Sequence, residues 1–128
     1  MLFRSVLGPI LRKLGKPVVT TGILSTNFDK LAPLAPLTSA WVPQVYVTRQ
    51  AVAKWNLDPA RTPAKGVERY RERFGADAVI EVAGAAYDTD AGTLVKCART
   101  AIAAGSSALW WWYLDAAPDA LLDAIAAL

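Results

Sequence analysis

At 128 residues, with 54% hydrophobic and 20% charged side chains, the chain has room for one domain with a real core and is too apolar to be disordered. It is too short to close a full eight-stranded β/α barrel, which takes roughly 200 residues or more. The net charge of +3 is a near balance of 14 Lys+Arg and 11 Asp+Glu, and the chain has no histidine and a single cysteine, Cys97. Those counts exclude an internal disulfide, histidine-activated nucleophiles and the commonest zinc ligand. Any hydrolytic chemistry must then run on carboxylates, tyrosine or lysine.

From the N-terminus, Leu2 to Leu14 reads as an amphipathic helix carrying Arg4, Arg12 and Lys13, with Gly15 as its stop. It has no cleavage-site pattern that would make it a signal peptide. Met1-Leu-Phe-Arg-Ser5 matches what a common sequencing-adapter sequence encodes in frame, so the native coding region is expected to begin near Val6 and to continue upstream. On that expectation residues 1–128 are a single, N-terminally truncated domain.

Lys16 to Gly22 is a β-branched run with proline near its start and is predicted as the first strand. Ser25, Thr26 and Asn27 offer N-caps, and Pro33 and Pro36 limit Phe28–Leu37 to a short, irregular helix. Ala40 to Thr48 is the second strand, with Trp41, Pro43, Val45 and Val47 on one face and Val42, Gln44, Tyr46 and Thr48 on the other. Pro43 is awkward inside a central strand.

The long connection that follows has room for a short helix at Gln50–Trp55 before a helix over Ala64–Phe74, capped by Gly75. In Lys65 to Arg73 the glutamates interleave with the bases, the pattern of a solvated face with local ion pairs rather than of a nucleic-acid patch. Ala78 to Tyr87 is the third strand, Asp88–Gly92 a loop, and Thr93–Ala104 a helix closed by Gly105. The last unit is the aromatic run Ser107-Ala-Leu-Trp-Trp-Trp-Tyr-Leu-Asp115 and a helix from Pro118 to Leu128. The apolar neighbours of Cys97 mark it as a buried small residue rather than a nucleophile.

Four strands alternating with helices at a spacing of roughly 30 residues predict an α/β fold with parallel pairing. The strand Trp41-Val-Pro-Gln-Val-Tyr46 and the aromatic last strand Trp110-Trp-Trp-Tyr113 give this pattern a resemblance to the C-terminal half of a TIM-type (β/α)8 barrel. It is similar to glycoside hydrolase barrels such as the family twenty-five lysozymes and related peptidoglycan-acting domains. The resemblance implies four parallel βα units forming half a barrel, a glycan or other polyhydroxylated ligand, and no cofactor or metal. It also implies that the principal catalytic carboxylates lie on earlier strands, so that this stretch alone is inactive.

Barrel enzymes carry their chemistry where strands end, which selects Thr21, Gln44, Tyr46, Tyr87, Asp88 and Asp115. Alternation from Leu109 puts Trp111, Tyr113 and Asp115 on one face, with Trp110 and Trp112 on the other. Trp111 and Tyr113 then form either a stacking platform for a sugar or part of the core. Asp115, the candidate catalytic carboxylate, reads equally as a site group and as a cap for the last helix. Gln44 and Tyr46 present an amide and a phenol to a ligand or to a rim network. Glu81 lies early in its strand and reads as a structural ion-pair partner. Asp88 and Asp90, beside Gly92, make at most a weak metal site.

Two functions compete: a carbohydrate-active hydrolase domain directed at cell-wall glycan, and a non-catalytic glycan-binding, virion or cell-wall module. A secreted or virion-associated location follows only from the glycan reading. A complete doubly wound domain is a third possibility, though no nucleotide-binding pattern supports it. The open edges of a half barrel also predict self-association. No membrane span is expected.

Overall fold

The computed structural model describes residues 8–24 and 27–128. Met1–Ser5, the N-terminal part of the expected first helix, and the cap candidates Ser25 and Thr26 lie outside the described residues. Strands β1 (Val19–Ile23), β2 (Ala40–Gln44), β3 (Val82–Ala85) and β4 (Leu109–Trp112) form one sheet in the order β1-β2-β3-β4, and every pair is parallel. The fold is therefore mixed α/β, with consecutive strands adjacent. Parallel neighbours require a crossover each time. These run through α2 (Phe28–Leu31) and a 3-10 segment (Ala32–Leu37), then α3 (Arg49–Trp55) and α4 (Thr62–Phe74), then α5 (Ala91–Ala103). Helix α1 (Gly8–Leu14) precedes β1, and α6 (Asp119–Ala126) follows β4. Among the described residues no helix is long and apolar enough to cross a membrane.

Helices α4 and α5 pack on β2 and β3 and bury one face of the sheet. Trp41, Val45 and Val47 of β2 and its extension meet Ile80, Val82, Val67, Tyr70 and Cys97 there. The Trp41 ring stacks nearly face to face on Phe74 at 3.6 Å and 9°, and Phe28 meets Tyr70 edge-on at 4.9 Å, an edge contact being a favoured ring geometry. Gly66 lets α4 approach closely, since a Cβ there would lie 3.0 Å from Val45 Cγ2.

Pro43 sits in an interior strand. Trp41 N donates to the Val79 carbonyl, Glu81 N to the Trp41 carbonyl, and Val45 N to the Ala83 carbonyl. In this alternation the next donor toward β3 is the nitrogen of residue 43, which in proline has no hydrogen. The β2–β3 ladder is accordingly reduced to the Trp41–Ile80 bridge and the Gln44–Ala83 pair, and β3 is shorter than the Ala78–Tyr87 span predicted for it.

The arginines of α4 do not form the local ion pairs expected from their spacing. Arg71 donates to the carbonyls of Ala104 (3.0 Å) and Gly105 (2.8 Å), closing the end of α5. Arg73 reaches Asp29 at 3.2 Å, and Arg69 donates to the Leu24 carbonyl while lying over Phe28. They tie the helical layer together instead. Gly105, at φ 96°, turns the chain out of α5 directly under the Arg71 guanidinium.

Candidate functional site

Among the described residues nothing covers the second face of the sheet. It carries a trough of about 260 Å³ that crosses all four strands and is lined by Thr21, Val42, Gln44, Tyr46, Trp110 and Trp112, among others. Period-2 alternation puts these residues opposite the core side chains, and the register pairs Thr21 with Val42 and Ala83 with Trp110. The floor is small where β2 and β3 run, with Val42 and Ala83 buried. On β4 the Trp110 and Trp112 indoles stand 49% and 54% exposed.

Polar groups occur on this face at fixed places. Gln44 Nε2 donates to Thr21 Oγ1 at 3.0 Å, and Thr21 Oγ1 donates to the Val42 carbonyl at 2.9 Å, which orients the amide across β1 and β2. Trp110 Nε1 donates to Glu81 Oε2 at 2.7 Å. Toward the carboxyl ends of the strands the rings form a chain. Tyr46 lies nearly parallel to Trp112 (6.4 Å, 23°), Trp112 meets Tyr113 (6.0 Å, 59°), and Tyr113 meets Tyr87 (5.6 Å, 54°). Partial burial, and then the neighbouring Tyr87, raise the Tyr46 phenol above its ordinary value.

No family model, curated protein or solved structure matches this chain.

The fold brings the expected Gln44, Tyr46, Tyr87 and Tyr113 to one side, and it corrects four readings. Trp111 faces the helices, with its ring against Gly84, where a Cβ would come within 2.7 Å of a ring carbon. The indoles over the trough are those of Trp110 and Trp112, so the stacking surface moves to the pair assigned to the other face. Tyr113 adopts a left-handed backbone (φ 70°), and a 3-10 turn over Leu114–Ala116 follows. Alternation stops there, which is why Tyr113 keeps company with Trp112 and Tyr87 rather than Trp111.

Asp115 lies exposed in that turn, and α6 starts at Asp119 with Pro118 at its N-cap and no side-chain cap. The capping reading of Asp115 does not hold, and among the described residues its carboxylate has no hydrogen-bond or ion-pair partner. Glu81 takes the Trp110 indole rather than an ion pair.

Asp88 and Asp90 have backbone roles. Asp88 (φ 44°) accepts from Arg49 N through its carbonyl at 2.7 Å and from Gln50 N through its carboxylate at 3.0 Å, fixing the start of α3. Asp90 caps α5, accepting from Thr93 N at 2.9 Å and Thr93 Oγ1 at 3.0 Å, which holds its carboxyl below the ordinary value. This cap also starts α5 at Ala91, two residues ahead of the predicted Thr93. Among the described residues no three acidic or cysteine side chains gather as a metal-ligand set.

Sequence reasoning did not single out Trp110, Trp112 and Glu81 as groups of the open face. The available signal was Gly84 between Ala83 and Ala85. A glycine directly beside a strand of tryptophans marks the side on which one ring must lie flat against the backbone.

Proposed function

We propose that the chain is a glycan-binding α/β domain, built as one side of a TIM-type (β/α)8 cylinder, whose open trough takes a polyhydroxylated sugar. The observation that carries this reading is the composition of the trough: the Trp110, Trp112 and Tyr46 rings beside the oriented Gln44 amide and the Thr21 hydroxyl. A pyranose has an apolar C–H face and a girdle of hydroxyls. A site of mostly apolar walls with a few placed polar groups is matched to both. The sequential order of parallel strands supports the cylinder reading, because a sheet whose helices all return to one side curls toward its bare face.

Binding without hydrolysis is favoured over catalysis. A glycosidase flanks the scissile bond with two carboxyl groups roughly 5 to 9.5 Å apart. Glu81 is held by Trp110, and Asp88 and Asp90 are held by backbone N–H groups, which leaves Asp115 as the strand-end carboxylate without a partner among the described residues. Peptidoglycan fragments are the glycan class implied by the resemblance to lysozyme-type barrels.

Titration with chitooligosaccharide tests the proposal through tryptophan fluorescence. Quenching is expected in the wild type, lost in Trp112→Ala and retained in Trp111→Phe. No quenching at millimolar sugar would overturn it.

A further inference from the structure

We propose that two copies of this chain close on each other about an axis parallel to the strands, β4 of each pairing with β1 of the other, so that the second copy completes the cylinder and the rim of the trough. The inference rests on the half-cylinder reading above. Both outer strands, β1 and β4, lack a partner on their outer side among the described residues. Exposed edges are ordinarily blunted by charge, proline or a bulge, yet neither Val19-Thr-Thr-Gly-Ile23 nor Leu109-Trp-Trp-Trp112 contains a charge or a proline. Because the two edges run in the same direction, a half-turn along the strands satisfies both at once.

The helices beside those edges complement each other in charge. Helix α1 and the turn after it, next to β1, carry Arg12, Lys13 and Lys16 with no acid; the segment after β4 carries Asp115, Asp119 and Asp123 with no base. Each also exposes apolar residues, Ile10 and Leu14 on α1 and Leu122 on α6. In the proposed arrangement α6 of one copy lies beside α1 of the other, basic against acidic, twice over.

Charge reversal tests this on the full chain. By light scattering and sedimentation the wild type is expected to be a dimer that weakens as salt rises. Arg12→Asp with Lys13→Asp, and separately Asp119→Lys with Asp123→Lys, should each weaken self-association at least about tenfold. A one-to-one mixture of the two variants should restore the dimer, because both of its interfaces are again complementary; this recovery also shows that each variant is folded. A monomeric wild type, a dimer indifferent to either reversal, or variants that fail to recombine would overturn the inference. Sugar quenching measured on each reversal variant alone, where the trough stays open, reports on the trough separately, so failure of the dimer and failure of the glycan reading are told apart.

Discussion

The two faces of one sheet are made by alternate residues of the same strands, yet they are built for different ends. On the covered face Trp41 stacks on Phe74 at 3.6 Å, with Val45, Val47, Ile80 and Val82 closed around Tyr70. On the open face Trp110, Trp112 and Tyr113 stay about half exposed, and the amide, hydroxyl and carboxylate of Gln44, Thr21 and Glu81 are oriented by hydrogen bonds. Close apolar contact on one side stabilises the fold; half-exposed rings and oriented polar groups on the other leave room for something else to bind. A residue's contribution to stability should therefore follow its side of the sheet more than its type.

Truncation at the centre of the covered face breaks that asymmetry most severely. Trp41→Ala removes a ring stacked on Phe74 and packed near Tyr70. It should cost about 3–5 kcal/mol, a large share of a domain's typical total of roughly 5–15 kcal/mol. Urea denaturation followed by circular dichroism measures it. A loss below about 1 kcal/mol would mean that the helical layer is not the main source of stability.

Gly84→Ala is the next largest effect and probes the boundary between the two faces. The added methyl would meet the Trp111 ring at 2.7 Å and force it off β3. Overpacking of this kind costs roughly 1–3 kcal/mol. The expected readout is a lower denaturation midpoint, with little change in sugar quenching because Trp110 and Trp112 stay in place. Loss of quenching at unchanged stability would put Trp111 on the trough side after all.

How far this asymmetry was legible in the sequence depended on contrast between neighbours. From Gln44 onward, Val45 and Val47 alternate in polarity with Gln44, Tyr46 and Thr48, and the two faces of β2 and its extension followed from that contrast. Trp110-Trp-Trp112 has no such contrast, so period 2 separated the residues without saying which set faced the helices. The left-handed turn at Tyr113 was hidden because nothing in an aromatic residue announces φ 70°. The caps at Asp88 and Asp90 were present as residue types, but their partners Gln50 and Thr93 are set by how the loops fold. The α4 arginines were hidden for a related reason: their carbonyl and carboxylate partners lie 33 to 45 residues away in sequence. Parallel order was legible from the βα period alone, while Pro43 was correctly flagged as awkward. What the sequence could not show was that Pro43 leaves a single rung unfilled rather than pushing β2 to an edge.

The smallest expected effect concerns how dry the covered face is. Cys97 is buried within the core, and burial, followed by the nearby Asp58, pushes its thiol from 9.0 up to about 11. A thiol whose folded value is raised is harder to ionise in the native state than in the unfolded chain. Below about 9 both states hold the proton and the group is neutral in its effect on pH dependence. Between about 9 and about 11 the unfolded chain releases the proton while the native state keeps it, so stability falls as pH rises through that window. Allowing for partial solvent screening, the loss is on the order of 1 kcal/mol. Lysine and tyrosine also titrate there, so the measurement is the difference between wild type and Cys97→Ala in urea midpoint at pH 8 and pH 10.5. The variant should be the less pH-sensitive of the two. Parallel curves would show that water reaches Cys97 in the native state, and with it that the face under α4 and α5 is less sealed than the one facing the trough is open.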